Sequence, residues 1–430
     1  MIKPGPISAC LPMACILVLG ACGSHSPEHM PWQKKSSSAK ANAGASNQAQ
    51  TTSGDVKAFD CATEKTPSEF VTTLTQDLFR RGPTSDELKR TSDPGYSPES
   101  LVDWAFTQPD YDTGIAYFVS NLLRLEQNLA VDPASRDTAD AALLADLKQE
   151  PVLLVQRNRN KSWPALFTTQ DFFCSARTAP LYSFPVDPNI SGFVGCKMPA
   201  ERAGILSLVS VLRAFPSAYY TTNNNRHRVA LALYLGQGLQ LAAKTDGPVG
   251  DGRPAPLASC VPEIDTRVAK GGAIFGTAAV PKIGPVCASC HTPYLAPLEP
   301  AFLRFGTKGE LLQLADVDKF PNAMIQGVDR NTLRDIMQYG NKSCWSPEGQ
   351  AQPAQEYTGL PGLGRLIGGS DKLANALAVQ IQQNLVNKSP DSATSDAIMA
   401  SYSANGESLQ AALRGFFLSA PYQCAHKNGG

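Results

Sequence analysis

Five consecutive residues, Cys287-Ala288-Ser289-Cys290-His291, set two thiols and an imidazole at the spacing of a c-type haem attachment box. Two cysteines three positions apart can add across the two vinyl groups of one porphyrin, and the histidine that follows is then held under the iron as its proximal ligand. The cofactor implied is one covalent haem c, carried on Cys287 and Cys290 with His291 on the metal. The same pattern also fits a redox Cys-x-x-Cys, a structural disulfide or half of a zinc site. A thioredoxin-like motif would follow a βαβ pattern, and zinc would need further Cys or His ligands at close spacing. The neighbouring sequence has neither.

The sixth iron position is open to several residues. A methionine from a later loop is the ligand that raises the potential of small cytochromes. Met324, in Phe320-Pro321-Asn322-Ala323-Met324, lies in a loop-like stretch and is the first choice. Met337 falls within an expected helix and comes second. The remaining alternatives are the histidines and an open position. Met399 reads as core, His227 lies between Arg226 and Arg228 in a segment expected at a helix surface, and His426 is near the chain end.

The elements that must present this chemistry begin with an export signal. Lys3, the short apolar run Leu11–Leu19 and the closing Leu19-Gly20-Ala21-Cys22 form a signal peptide over 1–21, with Cys22 placed as the lipidated cysteine of a lipobox-like site. An ordinary secretory peptide is the alternative. Either one exports the chain, which agrees with covalent haem attachment outside the cytoplasm. Gly23 rather than Asp follows Cys22, so the expected location is the bacterial cell envelope, at the outer membrane and facing periplasm or surface. Residues 22–58 are Ser, Ala, Asn, Gln, Lys and Thr with few large apolar groups, which predicts a disordered tether spanning about 30–35 Å. His25 and His29 lie in it as solvated residues.

The remaining chain, about 370 residues, is long enough for two domains. Lys plus Arg and Asp plus Glu are each 38, a balance that gives no basis for a nucleic-acid partner. The expected partners are redox proteins, and the membrane through the lipid anchor. Of the 11 cysteines, six remain beyond the signal, the lipid site and the haem pair: Cys61, Cys174, Cys196, Cys260, Cys344 and Cys424. An even set in an exported chain predicts disulfides. Cys174 with Cys196 is the first pairing expected, and Cys424 is a candidate to pair with Cys344.

Helical signals recur along the chain. Thr66-Pro67-Ser68-Glu69 is a capping box with proline at the first helical position, followed by Phe70, Leu74 and Leu78 at one-turn spacing. Ser97-Pro98-Glu99 opens a second helix bearing Leu101 and Trp104, and Phe118, Leu122 and Leu125 mark a third. Glu201–Ala214 and Arg228–Leu239 continue the pattern without an alternating strand run between them. Gly271–Gly276 precedes the haem box in the position of a helix. Beyond the box, helices are expected at Arg330–Tyr339, from Ser370-Asp371 through Leu385, from Ser389-Pro390-Asp391, and from Ser408 with Leu409, Leu413 and Phe416 on one face. The fold expected is mainly α: a helical domain of unknown role over 59–261, then a helical cytochrome c-like haem domain over 262–430, closed by the last helices.

Several stretches, in order, resemble the planctomycete-type cytochrome c proteins. They are Leu78-Phe79-Arg80-Arg81-Gly82-Pro83-Thr84-Ser85-Asp86-Glu87-Leu88, Glu150–Val155, Phe167–Asp171, Arg202–Leu206, Asn225–Val229, the haem box, and Asp371–Gln423. The resemblance covers most of residues 66–423 and implies an exported, helix-rich protein with one haem box near its end and no established substrate. The chain departs from it at Thr292–Leu298, where relatives tend to carry an Asp-Pro-Leu-Gly-type run.

Electron transfer between periplasmic or surface partners is the leading functional reading. One alternative is a haem oxidoreductase, peroxidase- or oxygenase-like, with an open sixth iron position. Another is a non-catalytic binding or sensor lipoprotein. No Ser-His-Asp, phosphate-loop or zinc-protease pattern points to a hydrolase.

Overall fold

The computed structural model describes residues 63–129, 141–213, 222–238, 298–302, 304–306, 309–313, 315, 342–348 and 353–424. Among the described residues 59% are helical and 10% lie in strands, the mainly α class that the periodicities imply.

Capping chemistry starts the first helices. The Thr66 hydroxyl accepts from the Glu69 N–H at 3.3 Å, and the Glu69 carboxylate accepts from the Thr66 N–H at 2.8 Å, at the head of α1 (Pro67–Leu78). Proline fits there because the first N–H of a helix has no intrahelical partner. Phe70, Leu74 and Leu78 form the buried stripe. The same reciprocal cap recurs at α2 (Ser85–Lys89), through Thr84 and Glu87, and at α3 (Pro98–Ala105), through Ser97 and Ser100. In α4 (Tyr111–Leu123), Ile115, Phe118, Val119 and Leu122 face the core. Arg124 then takes a left-handed φ of 50°, so Leu125, expected on the same stripe, begins the separate α5 (Leu125–Asn128). Next comes α6 (Ala141–Asn158), with Pro151 inside it.

A turn over Trp163–Phe167 leads to two strands absent from the sequence reading, β1 (Asp171–Ser175) and β2 (Phe193–Lys197). They pair antiparallel, with Phe172 opposite Cys196 and Cys174 opposite Val194. Cys174 and Cys196 form the expected disulfide across this ribbon, with Cα atoms 5.9 Å apart.

The helix expected over Glu201–Ala214 is broken. Gly204 has φ of 68°, and only α7 (Val209–Arg213) is α-helical in that range. Contact with Phe167 is the cause: a Cβ on Gly204 would fall 2.3 Å from the Phe167 carbonyl, and the Gly204 N–H donates to Thr169 O at 2.6 Å. A continuous helix would lose both. The helix expected from Arg228 is α8 (Thr222–Gln237), which begins earlier.

The remaining elements are a hairpin, β3 (Lys342–Trp345) with β4 (Gln355–Thr358), and five helices. These are α9 (Gly359–Gly368), α10 (Lys372–Asn384), α11 (Ser392–Ala404), α12 (Leu409–Phe417) and α13 (Ala420–Gln423). At α10 the Ser370 hydroxyl, rather than Asp371, accepts from a first-turn N–H, that of Lys372 at 3.1 Å. Asp391 caps α11 through the Thr394 N–H at 2.8 Å, and Ser408 caps α12 through Ala411 at 3.1 Å. The helices expected at Gly271–Gly276 and Arg330–Tyr339 lie outside the described residues.

The last helices complete the core of the first ones. Gln380 of α10 donates to the Tyr234 and Leu235 carbonyls of α8 at 2.6 and 3.0 Å. Arg414 of α12 pairs with Asp103 of α3 at 2.9 Å. Cys424 bridges Glu64, and the Lys65 N–H donates to Gln423 O at 2.8 Å. Side chains from before residue 239 and after residue 297 thus share one apolar core, and every described residue belongs to one unit. Cys344 and Cys424 are disulfide-bonded too; among the described residues no bond joins them to each other, as the sequence reading had paired them.

Candidate functional site

Cys287, Cys290, His291 and Met324, with Met337, His426 and Cys22, lie outside the described residues. Met399 is half-buried against the core, the packing role expected of it. Among the described residues no group of three or more His, Cys, Asp or Glu is placed to hold a metal ion. No helix among them is long and apolar enough to cross a membrane.

What the structure does bring together is a buried polar cluster, built from separate stretches of the chain. Glu150 of α6 is fully buried. The Tyr182 hydroxyl donates to its Oε2 at 2.6 Å and accepts from the Val209 N–H at 2.8 Å. Glu150 Oε1 has no hydrogen-bond partner, the Thr178 hydroxyl being near without meeting hydrogen-bond geometry. Loss of water raises the Glu150 carboxyl to about 8, against the opposing pull of the Tyr182 and Thr178 hydroxyls and the Arg202 charge. Burial, reinforced by Glu150, pushes the Tyr182 phenol well above its ordinary range. Glu150 is therefore largely a neutral acid at pH 7, and, being fully buried, it holds its proton away from any substrate.

Beside it lie two buried arginines. Arg202 has no exposed surface and donates to the Ser207 carbonyl at 2.7 Å and to the Gly309 carbonyl. Its guanidinium lies 5.2 Å from the Tyr182 ring centre and 4.8 Å from that of Phe305. Arg228, 2% exposed, donates from Nε and Nη2 to Leu212 O at 2.9 and 2.6 Å. It also donates to Phe305 O at 3.0 Å and Gly306 O at 2.6 Å. Burial draws the Arg228 guanidinium down to about 9, opposed by Glu310 and reinforced by Arg202.

Their common target is the backbone at residues 304–306 and 309–312. Phe305 bridges Leu311, the Gly306 N–H donates to Glu310 O at 2.9 Å, and the Leu312 N–H donates to Arg304 O at 2.8 Å. Gly309 has φ of 77°, and a Cβ there would fall 3.1 Å from the Val209 carbonyl. Leu298, Ala301 and Phe302, which precede these residues in the chain, are buried in the shared core. Leu298 is seven positions after His291 in the chain.

Sequence reasoning missed this cluster. The Arg226-His227-Arg228 segment was expected at a helix surface, yet Arg228 lies inside. A usable signal was present: Val229-Ala230-Leu231-Ala232-Leu233 is apolar without interruption, so α8 is buried on every side there and the residue just before the run is carried inward.

A second cluster joins the ends of the described chain. Lys65 Nζ donates to Tyr422 O at 2.5 Å and lies 4.3 Å from the Tyr422 ring centre, while the Tyr422 hydroxyl donates to Asp77 at 3.0 Å. Burial and the neighbouring Lys388 lower the Lys65 amine to about 8, against Asp77 and Glu69. Elsewhere an open hollow of about 410 Å³ is lined by Ser120, Leu129, Leu144 and the Glu126–Lys148 pair, whose charges meet at 2.6 Å. Neither place gathers the groups of a catalytic site. Comparison with known proteins returned no matching family model, no matching curated protein and no matching solved structure.

Proposed function

We propose that the protein is an exported, lipid-anchored c-type cytochrome with a single covalent haem, passing electrons between periplasmic or surface partners. The observation that carries this reading is the Cys287-Ala288-Ser289-Cys290-His291 box. In it Cys287 and Cys290 hold the porphyrin through thioethers and His291 is the proximal iron ligand, with Met324 as the sixth. Cys22 is the acylated residue, and the chain is a divergent relative of the planctomycete-type cytochrome c proteins. Bonded cysteines at Cys174, Cys196, Cys344 and Cys424 support an oxidising compartment, which is where covalent haem is attached in bacteria.

The test is an absorption spectrum of the exported protein, oxidised and reduced, with and without carbon monoxide. An electron carrier gives covalent haem, a methionine–iron charge-transfer band and no response to carbon monoxide. A high-spin spectrum that shifts with carbon monoxide would move the assignment to a haem oxidoreductase or sensor with an open sixth position, and absence of covalent haem would end it. His291→Ala is expected to abolish stable haem incorporation.

A further inference from the structure

Cys424 is disulfide-bonded and only 7% exposed, and among the described residues no cysteine is its partner. Cys174 and Cys196 bond each other, and Cys344 is bonded but not to Cys424. The partner is therefore a cysteine outside those residues, and the backbone around Cys424 points to one. Glu64 pairs with Cys424 as an antiparallel bridge, and the Lys65 N–H donates to Gln423 O at 2.8 Å. Cys61 is three positions before Glu64.

Cys424 is held in place from its own side. Tyr422, two positions earlier, is 3% exposed, with the ring centres of Phe416 and Phe417 at 5.0 and 5.1 Å and that of Phe70 in α1 at 6.0 Å. A disulfide needs Cα atoms about 4.4–6.8 Å apart. Paired residues of an antiparallel bridge lie about 4.5–5.5 Å apart, and an arm of three residues from Glu64 reaches at most about 11 Å. The chain bends at Thr63, which shortens that arm. Of the cysteines outside the described residues, Cys61 alone is within a few positions of a residue paired with this end of the chain. The next cysteine before it, Cys22, is 42 positions from Glu64, and closing a loop costs more entropy as the loop lengthens.

We propose that Cys61 and Cys424 form a disulfide that closes residues 61–424 into one covalent ring and fastens the segment before α1 to the end of the chain. Each thiol gives up one proton and one electron as the Sγ–Sγ bond forms. The acceptor is the disulfide of an oxidising thiol partner in the export compartment, which leaves as two thiols. The bond acts mainly on the unfolded chain, whose ends can no longer separate. It is independent of the reading of Cys287–His291 and leaves both box cysteines available for haem.

The experiment is peptide mapping by mass spectrometry of the full exported chain, unfolded, alkylated and digested without reductant, beside Cys61→Ser treated in the same way. Wild type is expected to give one linked peptide containing Cys61 and Cys424, lighter by two hydrogens than its two reduced halves together, and reductant should split it. In Cys61→Ser that peptide should be lost and Cys424 should become alkylated, while Cys174 and Cys196 stay linked. A wild-type map that joins Cys424 to any other cysteine, or that alkylates Cys424 directly, would overturn the proposal even if the variant fails to fold. Cys424 joined to Cys287 or Cys290 would overturn the haem reading as well. Absence of covalent haem with the Cys61–Cys424 link intact would overturn the haem reading alone.

Discussion

Two arginine sites in this molecule solve opposite problems. Arg81, between α1 and α2, has a side chain 36% exposed and is held by carboxylates: Glu87 takes two of its N–H groups at 2.8 Å each, and Asp110 accepts from Nε at 2.8 Å. Glu87 is only six positions away, and the Arg81 bonds are the main cause that lowers its carboxyl to about 2. Arg228 is buried, and its named partners are backbone carbonyls 16 to 78 positions away. The first site neutralises charge where water can still help. The second uses a charge inside the protein to place distant backbone, so its loss leaves oriented carbonyls without donors.

That contrast sets the order of expected effects. Arg228→Met should cost the most, about 1–3 kcal/mol in chemical denaturation for each of the Leu212, Phe305 and Gly306 carbonyls left buried without its donor. A loss under about 1 kcal/mol would make the two sites equivalent. Glu150→Gln comes next and shows as a change of slope. The folded state keeps the Glu150 proton up to about pH 8 while the unfolded chain releases it near 4.5, so wild-type stability falls as pH rises between those values. The steepest contribution is about 1.4 kcal/mol per pH unit. Thermal melts across this window should show a flatter profile for the glutamine variant, and identical profiles would exclude a proton on Glu150. Arg81→Met should cost least, about 1 kcal/mol, and should fade in 1 M salt. The Glu87 contribution has the reverse pH sense, being present above 4.5 and lost as pH falls towards about 2. A clamp at Arg228 that weakened equally in salt would erase the distinction.

The same contrast explains what could be read from the sequence. Helices that start with their own caps, at Thr66, Ser97, Asp391 and Ser408, were legible because cap and stripe lie within a few residues. Others were not, α6 and α9 among them. In α6 the core face includes Glu150, and Pro151 breaks the local rule. In α9, whose glycines give no helical signal, Gly364 packs where a Cβ would fall 2.1 Å from the Phe167 carbonyl, a contact nearly 200 positions distant in the chain. The break at Gly204 likewise answers to Phe167 rather than to its neighbours. For the site the division is sharper. The residues expected to carry chemistry, Cys287, Cys290, His291 and Met324, come from a local motif and its downstream loop, whereas the Glu150, Tyr182, Arg202 and Arg228 cluster exists only once four separate stretches have folded together.

The bridge between Glu64 and Cys424 also fixes how the body responds to force. The Lys65 N–H on Gln423 O, the Lys65 amine on Tyr422 O and the backbone pairing of Glu64 with Cys424 bring the first and last described turns of chain to one place. A pull transmitted along the residues before Glu64 enters the body at this junction and is shared at once with α13, before α1 is loaded alone. Suspended by its N-terminal side, the body would hang from both ends of its chain.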